Sequence, residues 1–326
     1  MSRFSAPTVG VALLALLGVA SAGCSQISFF KGKLAFKDAN LLYQGQDYRA
    51  AAAKYEETLV GCRGSQPDCT DPALTAAYFF LANSYDNMYR PVRRGEAAND
   101  ELLTKAIANY KKSAELEQAR PDIKRLALDY LVNAYGPEKL NDPSQAEPIL
   151  LRMIEMDPKE TSSYFGLANI YEQSGELDRA EQLLIKAREI RPNDAAVYMQ
   201  LAGFYNRQGE FGKTMASLHA RAEHEPTNPE AFYTVGTYYY EKAFKDFTIP
   251  DVEKAKYVQS GLQAIDKAVE LKPDYHEALV FKGLLLRVQA RLEKVPARQQ
   301  ALIREADEIR SRALEIQKKQ RAGASD

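Results

Sequence analysis

The sequence contains no tryptophan, and it has only three cysteines and three histidines among 326 residues. So few potential ligands exclude a disulfide-dense scaffold and argue against a multi-ligand zinc or iron–sulfur site. The charges almost cancel, with 43 lysines and arginines against 44 aspartates and glutamates, so the overall balance does not indicate a nucleic acid as partner. What remains is an ordinary globular composition, 45% hydrophobic and 27% charged, with 19 tyrosines.

Motifs that mark common enzymes are also missing. No P-loop, HExxH or GxSxG occurs, and no GxGxxG segment follows a predicted strand. His219 and His224 are five residues apart, so they do not share one helical face as metal ligands would, and His276 stands alone. We therefore predict that the protein is not an enzyme and uses no cofactor, metal, nucleic acid or small-molecule substrate.

The first 23 residues have the composition of an export signal. Arg3 provides a positive charge, and an uncharged apolar run over residues 9–20 is too short to span a bilayer comfortably. The segment that follows, ASAGC at positions 20–24, resembles the bacterial lipobox, the signal that directs diacylglycerol onto a cysteine sulfur. This resemblance implies that the mature protein is an acylated lipoprotein that begins at Cys24.

Two forms of processing fit this segment. Lipidation is the one that we favour, and it predicts a signal peptide over residues 1–23 and a lipid-anchored tether over residues 24–32. Ser25 follows the cysteine where aspartate would resemble an inner-membrane retention signal, which favours the outer membrane with the protein facing the periplasm. Alternatively, the small residues at positions 20 and 22 suit ordinary signal peptidase, which would release a soluble exported protein starting at Gly23.

Prolines divide the middle of the chain into equal units. Pro158, Pro192 and Pro226 follow one another at intervals of 34 residues, a period that indicates a solenoid of repeated units. Within two of these units, apolar residues recur with helical spacing on both sides of Gly175 and Gly209. Glycine tolerates the left-handed conformation that ends a helix, and proline cannot continue a helix. Each unit is therefore predicted to be a pair of helices.

The pattern within the units resembles the tetratricopeptide repeat (TPR) family. A large residue, leucine, a small residue and tyrosine precede the glycine, and small, large, small and proline follow it at the family's offsets. The tryptophan that is usual at the first large position is replaced by Tyr78, Tyr164, Tyr198 and Phe232. The resemblance implies an all-α fold, a right-handed superhelical solenoid of antiparallel helix pairs.

Extending the register outward predicts about seven repeats over residues 33–320, followed by a disordered tail over residues 321–326. Two units carry insertions, near residues 86–100 and 242–256. The last unit contains Arg310 where an apolar residue is expected.

The C-terminal stretch is basic. Residues 287–321 hold ten lysines and arginines against five acids. Such a stretch suits an anionic partner or lipid surface, or it is a solubilising cap of the kind that a solenoid end requires. The cap is the interpretation that we prefer.

Cys62 and Cys69 lie between the first and second units. In an exported protein they meet an oxidising compartment, in which a disulfide persists. Closing so short a loop stabilises a protein by roughly 2 to 3 kcal/mol in the chain-entropy model. A redox or metal role is the alternative, but no third ligand or nearby histidine accompanies the pair. We predict a structural disulfide.

In the TPR family, the first helices of successive repeats line a concave groove that receives an extended peptide or a partner helix. The fifth position of each first helix gives a mostly apolar row here, and the position one turn later gives a row rich in asparagine; both rows end in the last unit, at Val280 and Leu284. The groove residues predicted from these rows are Phe36, Asn40, Phe79, Asn83, Asn133, Phe165, Asn169, Met199 and Tyr233.

The chemistry of these rows suits a peptide. An asparagine amide both donates and accepts a hydrogen bond, so a ladder of asparagines can hold a peptide backbone, while neighbouring aromatics supply anchors. Alternatively, the asparagines are simply common in the repeat, and the apolar row packs against a neighbouring helix or an inserted loop.

Together these features predict a lipid-anchored scaffold in the cell envelope that recruits proteins for outer-membrane, pilus or secretion assembly. In organisation it resembles the TPR lipoproteins that help build outer membranes or type IV pili. The alternative is a soluble periplasmic TPR binding module of a secretion or polysaccharide-export system. An enzyme would need a catalytic acid or nucleophile in the groove rows, where Asp129 is the single acid.

Overall fold

The computed structural model describes residues 10–64 and 66–323, with side chains from residue 26 to residue 321. The first nine residues of the predicted signal peptide, the side chain of the predicted lipidation site Cys24 and the last three residues of the predicted tail lie outside the described residues. In the described part of the chain, the regular structure consists of fourteen α-helices and one short 3₁₀ helix. None of these helices is both long and apolar enough to cross a bilayer.

The chain divides into two compact units, of which the first ends at Pro158. Within each unit, helices that are adjacent in sequence pack against each other. The first unit contains three helix pairs: α1 (Gly10–Gln44) with α2 (Tyr48–Arg63), α3 (Ala76–Met88) with α4 (Ala97–Glu115), and α5 (Pro121–Tyr135) with α6 (Pro143–Met156).

The second unit contains four helix pairs, so the described chain has the predicted seven. The pairs are α7 (Thr161–Gln173) with α8 (Leu177–Ile190), α9 (Ala195–Arg207) with α10 (Phe211–His224), α11 (Pro229–Lys245) with α12 (Asp251–Leu271), and α13 (His276–Leu292) with α14 (Pro296–Gly323). The last helix continues into the predicted tail, and α1 includes the residues of the predicted tether.

The turns inside the two most regular repeats, at Gly175 and Gly209, have the predicted geometry. Gly175 and Gly209 have φ values of 78° and 75°, the left-handed conformation that lets one helix end and the next begin in a few residues. Tyr198, at a position where the family usually has tryptophan, is buried, and its hydroxyl donates a hydrogen bond to the carbonyl of Pro192 at 2.7 Å. The aromatic residue therefore fastens its helix to the proline that ends the preceding repeat.

A close crossing joins α1 to α2. A Cβ atom on Gly61 would lie 2.7 Å from the carbonyl oxygen of Ser28 and 2.8 Å from the Cα of Gly32. Gly32 is itself buried, with the carbonyl of Thr58 only 3.1 Å from the place of its missing Cβ. Small residues on both helices allow their backbones to approach, and this packing begins inside the predicted tether.

The two insertions take different forms. After α3, a short 3₁₀ helix, Pro91–Arg93, is held by the buried Asn99 of α4, whose side chain accepts from the amide of Arg90 and donates to its carbonyl. The insertion near residues 242–256 instead lengthens α11 and α12 to 17 and 21 residues, leaving a short connection over residues 246–250. An inserted segment thus becomes a braced loop in one unit and extra helical turns in the other.

Candidate partner-binding groove

The predicted groove rows do not form one continuous open surface. In the first unit, Phe79 and Asn83 are buried, with Asn83 only 3% exposed. The Phe79 ring packs against the rings of Phe80, Tyr110 and Tyr130 at centroid distances of 5.3 to 5.8 Å. The prediction that these two residues contact a partner is corrected here, because neighbouring helices already cover them.

The side chain of Asn83 is the centre of an internal hydrogen-bond network. Its Oδ1 accepts from the hydroxyl of Tyr43 at 2.6 Å, and its Nδ2 donates to the hydroxyl of Tyr110 at 3.1 Å. Tyr110 in turn donates to Asp86 at 3.3 Å, and Lys139 forms an ion pair with the same carboxylate at 2.6 Å. These bonds join three helices, α1, α3 and α4, to the loop that carries Lys139, so this asparagine supports the core.

Burial dominates the electrostatics of this network. It raises the pKa of Tyr110, which the nearby Asp86 carboxylate raises further, and it also raises the pKa of Tyr43. Both hydroxyls therefore stay neutral and able to donate at physiological pH.

The remaining predicted residues of the first unit are less enclosed. Asn40 accepts a hydrogen bond from the hydroxyl of Tyr55 at 2.8 Å, and the half-buried ring of Phe36 lies 6.1 Å from the same tyrosine ring. Asn133 is exposed. The asparagine ladder is therefore interrupted, because its members face different surroundings.

In the second unit the predicted rows are more open. Asn169 is exposed and accepts from Gln173 at 3.2 Å, and Phe165 is half-buried. Met199 is half-buried, with its sulfur 3.1 Å from a guanidinium nitrogen of Arg221. Tyr233 packs against aromatic rings of the next helix pair, so its ring is already engaged within the second unit and does not serve as a free anchor for a partner.

Two adjoining cavities open at the end of the second unit, and we call them together the C-terminal groove. The first, of about 410 Å³, lies between α13 and α14. Its lining combines apolar side chains with basic ones at the rim: His276, Val280, Gly283, Leu284, Arg287, Ala306, Arg310, Ala313, Leu314 and Gln317. Gly283 matters to its shape, because the α14 carbonyl of Ala306 lies 3.4 Å from the position that a Cβ would take.

The second cavity, of about 380 Å³, shares Leu284 and Arg287 with the first. It adds the aromatic side chains of Tyr240 and Phe244 from α11 and the apolar Ile303 from α14. From His276 to Arg291 the two cavities follow α13 for about 22 Å, the length of roughly four helical turns. The C-terminal groove is thus long enough for a partner helix or an extended segment.

The charged side chains that line the C-terminal groove are all arginines. Arg287 forms an ion pair with Asp307 at 2.6 Å, and the Arg291 guanidinium lies over the Phe244 ring at 5.1 Å from its centroid. Arg310 is exposed at the rim of the first cavity. Asp307 neutralises Arg287, but Arg291 and Arg310 leave positive charge along the edge of an apolar floor, and this combination favours a partner with apolar side chains and carboxylates.

Two residues that line this groove stand at positions of the predicted rows. The predicted rows end at Val280 and Leu284, which the structure places in its floor. The interpretation of α14 as a solubilising cap does not include the groove wall that this helix forms. The signal was present in Arg310, a charged residue at an expected apolar position, since it marks a helix whose inner face remains partly open.

Two of the three cysteines and all three histidines have partners within the described part of the chain. Cys62 and Cys69 form a disulfide, with Cα atoms 5.1 Å apart. Each histidine has a partner: His219 lies 3.0 Å from the Tyr239 hydroxyl, His224 lies 3.0 Å from that of Tyr198, and His276 pairs with a carboxylate. Burial lowers the pKa of His219. No cluster of potential metal ligands occurs in the described part of the chain.

Comparison with known proteins identifies the repeat. The Tetratricopeptide repeat family model matches residues 139–203, which run from the α5–α6 connection into α9. No curated protein sequence matches the chain significantly.

Solved structures give the fold. The C-terminal part of a TPR repeat-containing protein from Cytophaga hutchinsonii is similar with a TM-score of 0.56 at 15% identity, over 86% of this chain and 98% of that one. A tetratricopeptide repeat protein from Parabacteroides merdae scores 0.48 at 10% identity, over 87% and 99%. MamA from Desulfovibrio magneticus scores 0.41 at 15% identity, over 60% and 96%. The first likeness, together with the helix pairs, shows the TPR solenoid fold; the other two are too distant to show more.

Proposed function

We propose that this protein is a non-catalytic scaffold, exported and lipid-anchored through Cys24, that binds a protein partner in its C-terminal groove. The TPR fold is typical of protein–protein interaction scaffolds. The observation that carries the proposal is the groove itself, where exposed apolar side chains and a basic rim occupy two joined cavities. In this proposal the protein faces the periplasm from the outer membrane and serves outer-membrane, pilus or secretion assembly.

The groove also defines the partner's chemistry. Val280 on α13 and Leu314 on α14 are large apolar side chains that remain exposed in the groove, and burying them is the main source of affinity that the surface offers. The arginines at the rim select acidic side chains and steer their approach. The partner segment is therefore an amphipathic helix or extended peptide with apolar anchors and flanking carboxylates.

Site-specific crosslinking in the native envelope tests this use of the groove. A photo-crosslinking amino acid at Val280 is expected to capture a partner, whereas the same group at Leu126, an exposed apolar position on α5, is the matched control. Adding Arg310→Glu to the Val280 variant reverses the charge at the rim and is expected to reduce capture at least several-fold. Equal capture from both positions, or capture that is indifferent to Arg310, would rule out the groove.

The lipid anchor is tested separately. Metabolic labelling with palmitate is expected to label the wild type and not Cys24→Ser, since the thioether requires the thiol. The alternative, a soluble periplasmic binding module of a secretion or polysaccharide-export system, is favoured by the small residues at positions 20 and 22. That alternative predicts no label on the wild type and a mature chain starting at Gly23, which N-terminal sequencing detects.

A further inference from the structure

The outward side of α1 carries an exposed apolar stripe. Ile27, Phe30, Leu34 and Leu41 are between 50% and 63% exposed. At 3.6 residues per turn, these four positions fall within one sector of about 60° around the helix axis. The stripe is turned away from the face of α1 that packs against α2, so nothing described in the first unit covers it.

Lysines border the stripe on both sides. Helical spacing places Lys31 together with Asp38 along one edge, and Lys33 and Lys37 along the other. All three are exposed, and Asp38 is the single acid between residues 26 and 44. The Lys33 ammonium lies 4.6 Å from the centroid of the Phe29 ring, so this charge rests against an aromatic ring of the same helix.

A narrow apolar stripe between two rows of lysines suits the boundary between lipid headgroups and acyl chains. Apolar side chains enter the boundary, and lysines reach back to anionic headgroups. The stripe begins three residues after Cys24 on the same helix, so an acyl chain at that cysteine would hold it at the bilayer surface. We propose that this stripe of α1 lies in the headgroup region of an anionic membrane, so that the anchored scaffold rests on the bilayer along α1. This inference rests on the anchor proposed above.

The absence of tryptophan makes this contact measurable. The experiment uses the acylated full-length protein, expressed in a diderm bacterium and reconstituted on vesicles of phosphatidylglycerol and brominated phosphatidylcholine. Phe30→Trp places the one tryptophan in the stripe, and Val92→Trp places it at a position of the same unit that is 94% exposed, as the matched control. Bromine quenches tryptophan emission only at short range, so the loss of emission reports contact with the acyl chains.

We expect several-fold greater quenching at position 30 than at position 92, together with a blue shift at position 30 alone. Changing Lys31, Lys33 and Lys37 to glutamate should lower the quenching at position 30, because each lysine near an anionic surface strengthens the contact about fivefold. Equally weak quenching at both positions, with the protein still bound to the vesicles, would overturn the proposal and leave the anchor intact. A blue shift at position 30 that grows with protein concentration in the absence of vesicles would assign the stripe to a second copy of the chain and would also overturn it.

Mass spectrometry of the purified protein decides the anchor independently. If the mature protein carries no acyl group, the proposed lipidation fails, and the same vesicles are then added to the soluble protein. Quenching at position 30 and not at position 92 would still support membrane contact by α1, and its absence would refute that contact.

Discussion

Helix α3 of the first unit and the first helices of repeats in the second unit present the same repeat positions and use them differently. In the first unit, Phe79 and Asn83 are buried among aromatic rings and tyrosine hydroxyls. In the second, the matching positions at Asn169 and Val280 are exposed. The difference teaches that a repeat position defines a place on a helix, whereas the side chains that surround it decide whether it binds a partner or supports the core.

The surroundings differ for a physical reason. The first unit supplies aromatic residues from several helices around one asparagine, and each hydroxyl needs a hydrogen-bond partner when it is buried. At the end of the second unit no further repeat follows α14 within the described residues, so the inner face between α13 and α14 remains open. Aromatic side chains fill the interior of the first unit, whereas the described residues leave the inner face between α13 and α14 uncovered.

The largest expected effect is alkaline unfolding that starts in the first unit. Burial raises the pKa of Tyr110 and Tyr55 above the usual value near 10, and in the second unit it raises that of Tyr275 to about 12. An unfolded tyrosine loses its proton near pH 10 while the folded one keeps it, so the folded state binds more protons and stability falls as pH rises above 10. We expect helical circular dichroism to be lost between about pH 10 and 12.

Two variants locate this transition. Tyr110→Phe removes a fully buried ionisable hydroxyl of the first unit and should move the onset to higher pH, whereas Tyr275→Phe in the second unit should leave the onset unchanged. Tyrosinate absorbance is followed beside the circular dichroism. Titration of all tyrosines near pH 10 with the helices intact would contradict the prediction.

The next effect concerns the hydrogen-bond network around Asn83 in the first unit. Asn83→Ala leaves the hydroxyls of Tyr43 and Tyr110 without their shared partner, and we expect the free energy of unfolding to fall by about 2 to 4 kcal/mol. Asn169→Ala, at an exposed position of the second unit, should change it by less than about 0.5 kcal/mol. Urea denaturation followed by circular dichroism measures both, and similar losses would erase the proposed contrast between the units.

The disulfide should stabilise the first unit by a comparable amount. Replacing Cys62 and Cys69 with serine opens a loop whose ends are seven residues apart, which costs about 2.5 kcal/mol in the chain-entropy model. The same denaturation measures the loss, and reductant should reproduce it in the wild type. A thiol-labelling assay that finds both cysteines free in periplasmic protein would refute the disulfide.

The smallest effect tests the crossing of α1 and α2. Gly61→Ala forces backbone atoms apart, because the atoms nearest the new Cβ belong to Ser28 and Gly32, and we expect a loss of about 1 to 3 kcal/mol. Gly212→Ala meets nothing within 4 Å and should instead gain about 0.5 kcal/mol from helix propensity. A neutral Gly61→Ala would mean that the two helices have room to separate.

The sequence predicted much of the fold and part of the site. The intervals of 34 residues indicated the helix pairs, and the left-handed Gly175 and Gly209 lie where the turns were expected. The predicted rows reached Val280 and Leu284 but counted Asn83 among open positions. Spacing along a helix cannot reveal that Tyr43, forty residues earlier, directs its hydroxyl at that asparagine.

The sequence by itself determined the repeat, because helical periodicity, glycine turns and proline ends are local properties of the chain. It also predicts an export signal over residues 1–23 and a lipidation site at Cys24, and both stay predictions. Only the tertiary structure decided which row positions are buried, that α14 forms a wall of the C-terminal groove, and that Gly32 and Gly61 face each other across α1 and α2. These properties depend on contacts between distant residues, and burial arises from packing that no single segment encodes.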